Sequence, residues 1–468
     1  MLGGGPAGCA AARLLALWGH HVVLVTKPAS PLTALPESIP PSAGKLFDLL
    51  GVREAMDGAG FIRSTGNTVW WGSTDARHET FANDARGWQV TASRLEPILQ
   101  RAAAAGGVHV EHGRLTAEQA AGRGATFVLD CTGRAGVISR ARGWRVFEAA
   151  HRTVALVGEW RAPAPFDVRD PTHTVIESYH NGWAWSVPTA ADRRCIALMV
   201  DPRTSDLAHD RTAREIYRAE IAKTAALARL VRNATLTEGP VGWDASMYSA
   251  TRYAKDDVLL VGDAGSFIDP LSSIGVKKAL ASGWLAAVAT HTALIRPGMR
   301  QIALDFFSAR EAEIYTTFRS MTTQYLAEAA PAHAHPFWGD RSQADVQVMA
   351  GEAASISAAY DRIRTAQSIS LKPARSLRVE DRPSVSGAEI VMEPRIVSDT
   401  RPAGVRYVSD VDILTLIDMA PAFRQVPDLF EAYNRQHAPV ALPDFLTALS
   451  TLVANEWLVL DDGLVTTE

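Results

Sequence analysis

The order of hydrophobic and polar positions predicts an α/β chain from its first residues. A glycine turn over residues 3–8 precedes a small-residue helix over 9–17 and a β-branched strand over 21–25. This order of elements is typical of a dinucleotide-binding unit. In such a unit a strand of about five residues comes before the turn, but only Met1 and Leu2 do so here. We therefore expect the rest of that strand to lie upstream of Met1.

The middle of the chain predicts a sheet of a different kind. From about residue 145 to about 250, short segments of alternating hydrophobic and polar residues are separated by turns. This pattern favours an antiparallel sheet with one face toward a cavity. Apolar segments at 258–261 and 276–294 predict a buried strand and a long buried helix. We predict that the antiparallel sheet is inserted into one α/β domain over residues 1–340.

The last part of the chain predicts a helix, a linker and a small module. Residues 341–404 combine a helix with a stretch, from about 365, that is rich in Pro, Ser and charge and is typical of a linker. Over 405–468, leucines at helical spacing precede a short strand, which predicts a winged-helix-like α+β module. From Arg406 to Glu468, ten acidic and three basic residues give a charge of −7, which would repel nucleic acid phosphates.

Composition narrows the class of protein. Of 468 residues, 47% are hydrophobic and 21% are charged, and the formal net charge is −4, which argues against nucleic acid or anionic lipid as the main partner. Three cysteines without metal or disulfide spacing favour a cytoplasmic location and no metal site. The apolar stretch over 279–295 is short and interrupted by polar residues, so we predict no membrane span.

The glycine turn fits the G-x-G-x-x-G pattern of dinucleotide-binding proteins. Gly3 would permit the tight turn, Gly5 would let the backbone approach a pyrophosphate, and Gly8 would let the helix pack closely on the strand. The acidic residue that usually follows the next strand and binds a ribose is absent. Thr26 occupies that position and Lys27 follows it.

A second motif lies where the strand at 258–261 runs into a Gly-Asp turn and then a loop that leads to the long helix. Two shorter motifs are Asp130-Cys131-Thr132-Gly133 and Glu37-Ser38-Ile39-Pro40-Pro41-Ser42. In these motifs the chain resembles the superfamily of FAD-dependent aromatic monooxygenases and flavin-dependent tryptophan halogenases. The resemblance implies a Rossmann-like FAD-binding domain, in which the Gly-Asp carboxylate binds the ribityl chain and the loop passes over the flavin ring. It implies FAD contacts for Gly3, Gly5, Gly8, Thr26, Ser38, Arg94, Gly133, Gly262, Asp263, Pro270, Gly275 and Val276.

Three segments resemble the halogenase branch in particular. Residues 182–188 resemble its "W-x-W-x-I-P" motif and residues 336–338 its "F-W" site. Residues 60–72 resemble the segment that carries the halogenase lysine, but Ser64 stands at the lysine position, beside Arg63. A hydroxyl carries no charge and a guanidinium is a poor proton donor, so the catalytic residue stays unassigned. The resemblance implies a substrate pocket formed by Trp183, Trp185, Phe337 and Trp338.

These observations predict an FAD-dependent oxidoreductase that hydroxylates an electron-rich aromatic ring through a flavin 4a-hydroperoxide. One branch of the superfamily hydroxylates a peptidyl tryptophan during formation of the tryptophylquinone cofactor of quinohemoprotein amine dehydrogenase, and the chain is compatible with that branch. Three alternatives stay open. They are a halogenase that uses another amine, such as Lys277 or Lys278, a geranylgeranyl-type reductase, and a degenerate flavin-binding module without activity.

The predicted partners follow from this function. Electrons would come from NAD(P)H or from a partner flavin reductase. The substrate would be an aromatic small molecule or a peptide. The acidic C-terminal module would either cover a face of the flavin domain or dock a peptide or protein substrate.

Overall fold

The computed structural model describes residues 1–27, 36–205, 207, 211–342, 347–366 and 368–460. The chain divides into two compact units, Met1–Ala344 and Asp345–Glu468. Within the described ranges, no helix is both long enough and apolar enough to cross a membrane.

The first unit mixes helices and strands. Its helices are α1 (Pro6–Leu17), α2 (Gly44–Leu49), α3 (Arg53–Gly58), α4 (Ala92–Ala105), α5 (Ala117–Ala121), α6 (Val137–Ala141), α7 (Ala213–Ile221), α8 (Ala226–Leu230), α9 (Gly275–Ile295), α10 (Arg300–Ala329) and α11 (Pro336–Gly339). Its strands are β1 (Val23–Thr26), β2 (Pro36–Ile39), β3 (Gly66–Trp70), β4 (Arg77–Thr80), β5 (Trp88–Thr91), β6 (His109–His112), β7 (Val128–Asp130), β8 (Arg145–Phe147), β9 (Val154–Arg161), β10 (Thr174–Tyr179), β11 (Gly182–Ala190), β12 (Arg193–Val200), β13 (Thr235–Asp244), β14 (Tyr248–Ala250), β15 (Ala254–Lys255), β16 (Val258–Leu260) and β17 (Ser266–Phe267).

Parallel strands surround the N-terminal glycine turn. Strand β1 pairs with β6 and strand β7 pairs with β16, both in parallel. Leu2 forms parallel bridges to Val25 of β1 and to Asp130 of β7. The residues before the turn thus occupy the central position where the sequence predicted a strand. Helix α1 packs on α9 so closely that a Cβ atom on Gly283 would lie 2.4 Å from the carbonyl oxygen of Ala7.

A seven-stranded sheet in the order β13-β9-β12-β11-β10-β3-β4 forms the other layer of this unit. The predicted insertion supplies β9 to β13, which pair antiparallel. Strand β3 comes from the segment over 60–72 and joins the sheet in parallel with β10. Trp183 and Trp185 are two residues apart on β11, so both side chains project from the same face.

The second unit contains helices and a long β-ribbon. Its elements are α12 (Gln347–Thr365), β18 (Leu371–Pro373), β19 (Arg378–Ser386), β20 (Glu389–Ser398), β21 (Arg401–Val405), β22 (Tyr407–Val408), β23 (Val411–Asp412), α13 (Ile413–Met419), α14 (Val426–Gln436), α15 (Leu442–Ala454) and β24 (Leu458–Leu460). Apolar residues of the helices form its core, among them Ile363, Leu416, Leu429, Phe445 and Leu449. Residues 461–468, which end the predicted module, lie outside the described residues.

The prediction of a linker up to residue 404 was wrong. Strands β19 and β20 pair over nine residues each, from Arg378 opposite Val397 to Ser386 opposite Glu389. The ribbon exposes much of both faces, and Val379 and Met392 are 46% and 42% exposed. The alternation that marks a half-buried strand is therefore weak in the sequence, while the backbone hydrogen bonds of the ladder hold the ribbon together.

Candidate active site

The glycine turn leads into helix α1 at the edge of the parallel strands. Gly3 has a φ angle of +98°, and a Cβ atom there would lie 2.3 Å from the carbonyl oxygen of Cys131. A Cβ atom on Gly8 would lie 1.9 Å from the carbonyl oxygen of Gly3. Any larger residue at either position would therefore push the turn away from the strands. The nearest atom to a Cβ on Gly5 is Glu96 Oε1 at 3.9 Å, so the turn stays open on that side.

A cavity of about 520 Å³, which we call the nucleotide cavity, opens over this turn. Its walls come from the residues that follow parallel strands β1, β6 and β7, where dinucleotide folds bind their ligand. Among the residues predicted to contact FAD, this cavity is lined by Gly3, Gly5, Thr26, Gly133 and Asp263. Lys27, Glu96 and Arg114 line it as well.

The Gly-Asp turn follows β16 and is fixed from beneath by α9. The backbone N–H of Gly262 donates to Ser282 Oγ at 2.7 Å, and Gly262 packs against both α1 and α9. Lys278 Nζ lies 3.2 Å from Asp263 Oδ1, with a side chain that is only 1% exposed. The Tyr248 hydroxyl donates to the carbonyl oxygen of Asp263 at 2.6 Å. These contacts orient the Asp263 carboxylate.

A second cavity of about 250 Å³, the flavin cavity, adjoins the first. Pro6, Asp263 and Ala279 line both cavities, which marks the place where the two meet. The predicted residues Ser38, Asp263, Pro270, Gly275 and Val276 line the flavin cavity. The Gly-Asp loop thus forms one wall of it.

The opposite wall of the flavin cavity is the face of the antiparallel sheet that carries Trp183 and Trp185. Trp243 of β13 joins them, although no sequence motif includes it. Strand β13 pairs with β9, and β9 with β12, so the strand register alone places Trp243 on this wall. The indole N–H groups of Trp183 and Trp185 have no hydrogen-bond partner within the described residues. This wall therefore offers flat apolar surfaces.

Two carboxyl groups line the flavin cavity, of which Asp269 is buried and Glu37 is half-buried. Burial raises the pKa of Glu37 to about 7, and the nearby Asp263 carboxylate raises it further. Burial also raises the pKa of Asp269 to about 6, against the hydrogen bond that its carboxylate accepts from the backbone N–H of Leu271. In the sequence, Glu37 stood out only as part of a motif. Its raised pKa depends on burial, which a motif does not show.

Phe337 and Trp338, which we predicted in the substrate pocket, line neither cavity. They are 1% and 0% exposed and pack in a hydrophobic cluster with Trp183, on the same face of the sheet as the flavin cavity. The Trp338 ring meets Trp71 edge-on at 5.6 Å, and its Nε1 donates to the carbonyl oxygens of Tyr179 and His180 at 3.1 Å. Core contacts bury both rings, so a part for this pair in the substrate pocket stays a prediction.

Arg94, which we predicted to contact the flavin, lines neither the nucleotide cavity nor the flavin cavity. The guanidinium lies 4.7 Å from the centre of the Phe61 ring and donates to the carbonyl oxygen of Ala59. Helix α4 turns this side chain toward α3, because Leu95 and Leu99 face the core.

The segment that resembles the halogenase lysine segment presents no amine. Ser64 is 1% exposed, and its hydroxyl donates to the carbonyl oxygen of Gly66 at 3.1 Å. Arg63 Nη1 pairs with Asp57 Oδ1 at 2.6 Å, and the guanidinium lies 4.6 Å from the centre of the Trp88 ring. Neither residue lines the flavin cavity.

The two cavities together fit FAD. The first has a glycine turn that cannot accept a Cβ atom at Gly3 or Gly8, a helix N-terminus beside it, and cationic side chains at Lys27 and Arg114. Such a turn binds a diphosphate. The second has room for a flat ring between the Gly-Asp loop and the tryptophan-bearing sheet.

Comparison with known proteins identifies the family. The sequence profile of tryptophan halogenase matches residues 73–367, which is more than half of the chain. The chain belongs to the tryptophan halogenase family. This membership confirms the predicted superfamily and the predicted class of FAD-dependent oxidoreductase.

Several members of the tryptophan halogenase family are similar over most of the chain. A tryptophan 2-halogenase of Chondromyces crocatus is 29% identical over 335 residues, which cover 66% of this chain and 63% of that enzyme. The chain therefore spans less than two thirds of the length of this relative. The flavin-dependent halogenase armH1 of Armillaria mellea is 28% identical over 370 residues, with 68% and 69% covered.

Solved structures of flavoenzymes share the fold. The flavin-dependent halogenase CmlS has a TM-score of 0.82 at 19% identity, over 99% of this chain and 95% of its own. The peptidyl tryptophan dihydroxylase QhpG, essential for tryptophylquinone cofactor biogenesis, has a TM-score of 0.67 at 21% identity, over 93% and 94%. The mixed α/β fold of the tryptophan halogenase family is thus confirmed for this chain.

Proposed function

We propose that this chain is an FAD-dependent monooxygenase that hydroxylates an electron-rich aromatic ring, with the indole of a tryptophan as its substrate class. The observation that carries the proposal is that none of the described residues lining the flavin cavity is a lysine. Arg134 is the one cation among the described residues that line it. Lys278 contacts Asp263, and Lys277 Nζ lies 3.0 Å from Ser42 Oγ. Without an amine to hold an oxidised halide, oxygen transfer is the simpler outcome.

The residues of the cavity have separate tasks in this proposal. Reduced flavin, when bound, supplies the activation of molecular oxygen. Trp183, Trp185 and Trp243 bind the aromatic substrate between flat apolar surfaces and exclude water. The Glu37 carboxyl, whose pKa is raised to about 7, holds a proton near neutral pH and can donate it from Oε2 inside the cavity.

We also propose that the substrate is a peptidyl tryptophan that docks on the second unit. The fold of QhpG, which acts on a peptidyl tryptophan, matches 93% of this chain. A groove of about 390 Å³ lies within the second unit, with Arg364 and Arg424 at its rim. Its apolar lining includes Tyr360, Ile363, Phe430, Leu442 and Leu446. Leu442 is 46% exposed, so apolar surface is available to a peptide there.

The docking proposal predicts a selective effect on peptide substrates. Leu442→Asp should raise KM for a tryptophan-containing peptide and leave turnover of free indole unchanged. Val459→Asp is the matched control, since Val459 is 49% exposed but does not line the groove. Equal KM values in the two variants would contradict docking in the groove.

The proposal also includes predictions about the fold of each unit, the location of the protein and its source of electrons. We infer that the parallel strands form a Rossmann-like fold and that α13, α14, α15 and β24 form a winged-helix-like module. We also infer a cytoplasmic location and electron supply from NAD(P)H or a partner flavin reductase. Addition of NADH, with and without a general flavin reductase, while oxygen is recorded would separate the two electron sources.

A halogenase is the second candidate, favoured by the similarity to the tryptophan 2-halogenase of Chondromyces crocatus and to the halogenase armH1 of Armillaria mellea. The first test is an absorbance spectrum of the purified protein, followed by oxygen consumption with reduced FAD in the presence and absence of bromide. The monooxygenase proposal predicts a flavin spectrum and oxygen consumption that does not depend on bromide. A colourless protein that cannot take up FAD would contradict both candidates.

A further inference from the structure

The nucleotide cavity lacks the acidic residue that usually binds the ribose at the end of β1. Thr26 occupies this position and is 4% exposed. Its hydroxyl lies 3.3 Å from the carbonyl oxygen of Lys27, to which it donates. A Cβ atom on Gly4 would lie 2.5 Å from Thr26 Oγ1, because the hydroxyl packs closely against the glycine turn. Thr26 cannot supply the two charged acceptor atoms that a carboxylate offers to a ribose.

A carboxylate reaches the same cavity from a different element. Glu96 of α4 lines the nucleotide cavity, and its Oε1 lies 3.9 Å from the Cβ position of Gly5. Gln100 follows one helical turn later on the same face of α4, and its Nε2 donates to the carbonyl oxygen of Gly4 at 2.9 Å. This bond fixes α4 against the turn and aims Glu96 at the ligand side.

Among the described residues, none forms a side-chain hydrogen bond or a salt bridge with the Glu96 carboxylate, so its acceptor atoms are available to a ligand. Burial raises its pKa, and the nearby Lys27 ammonium lowers it. Arg114 is the other cation on the cavity wall. A half-buried carboxylate without hydrogen-bond donors costs free energy unless a ligand supplies them.

We propose that Glu96 binds the ribose hydroxyls of the adenosine half of FAD and replaces the acidic residue missing at position 26. The inference rests on the proposed FAD-dependent function and adds a residue of this chain to that site. Lys27 and Arg114 keep the local charge favourable for the neighbouring diphosphate.

The test compares FAD with FMN, which has no adenosine. The dissociation constants of both are measured by flavin fluorescence for the wild type, Glu96→Gln, Glu96→Ala and the control Glu54→Gln, an exposed acid on α3. We expect Glu96→Ala to weaken FAD binding about tenfold, as for loss of a hydrogen bond to a charged group. Glu96→Gln, which keeps one acceptor, should weaken it less. FMN binding should not change.

A modified ligand locates the contact on the ribose. FAD built on 2′,3′-dideoxyadenosine should bind the wild type about tenfold more weakly than FAD, and Glu96→Ala should lose this discrimination. If Glu96→Ala binds FAD as tightly as the wild type, or more tightly, the proposal is overturned, since the carboxylate then makes no contact or repels the diphosphate. A wild-type protein that binds neither flavin would overturn the proposed function and this inference together.

Discussion

The Gly-Asp loop over residues 262–276 and the segment over 60–72 both resemble halogenase motifs, yet they face different surroundings. Asp263, Asp269 and Gly275 of the loop line the flavin cavity. Ser64 of the other segment is 1% exposed and donates to the carbonyl oxygen of Gly66 at 3.1 Å. The loop is open to a ligand, whereas the lysine position belongs to the protein interior.

This difference shows that flavin binding and halogen transfer depend on different residues of the fold. Flavin binding depends on tight turns and on a loop held against a helix, and the chain keeps both. Halogen transfer in the family depends on an amine at one position, and the chain has a hydroxyl there. In the proposed function, the scaffold keeps its cofactor and changes the group that it transfers, because function depends on the site and not on the fold.

The largest expected effect on stability concerns the aromatic pair that resembles the halogenase "F-W" site. Trp338→Ala should lower the free energy of unfolding by about 3–5 kcal/mol, because it removes a fully buried ring and its hydrogen bond. Trp185→Ala is the matched control, since Trp185 faces the cavity and is only partly buried. Urea denaturation measures both. Equal losses in the two variants would mean that Trp338 is not a core residue.

A lysine placed at position 64 should destabilise the protein. Ser64→Lys puts an ammonium group at a position where the serine is only 1% exposed, so we expect a loss of about 3 kcal/mol in the free energy of unfolding. Ser64→Ala removes a single hydrogen bond and should cost about 1 kcal/mol. A Ser64→Lys variant as stable as the wild type would show that this position still opens to solvent or to the cavity.

The Glu37 carboxyl should make the stability of the FAD-free protein depend on pH. Its pKa is raised from 4.5 to about 7, so the folded state holds a proton that the unfolded state releases. Stability is then full below pH 4.5 and falls as the pH rises through about 7. Glu37→Gln should remove this fall and gain about 2 kcal/mol above that window, with no gain below it. If Glu37→Gln raised the free energy of unfolding equally at all pH values, protonation of Glu37 would not be the cause of the fall.

The smallest expected effect tests the alternative amine. Lys277→Ala should change stability by no more than about 0.5 kcal/mol and leave the products unchanged, because its ammonium group contacts Ser42 outside the cavity lining. Product analysis by mass spectrometry checks this. Loss of all product in Lys277→Ala with normal FAD binding would favour the halogenase alternative.

Local motifs allowed the turns that line the two cavities to be predicted. The glycine turn and the Gly-Asp loop are continuous in sequence, and their geometry follows from steric rules at Gly3 and Gly8. The inserted antiparallel strands were predicted for the same reason, since alternation with period two is a local signal.

The remaining features depend on contacts between distant segments. Trp243 and Glu96 reach the cavities only through strand register and helix packing, which no short pattern encodes. The burial of Phe337 and Trp338 was not predicted, because a motif does not show whether a ring meets a cavity or a core. The ribbon over 378–398 was missed because its two faces are both largely exposed.

The central claim is that this family member transfers oxygen. The most direct measurement incubates the FAD-loaded protein with reduced flavin, air, bromide and a set of tryptophan-containing peptides, and then records product masses. The account predicts products that gain one or two oxygen atoms, in equal yield with and without bromide. A product with the bromine isotope pattern would contradict it.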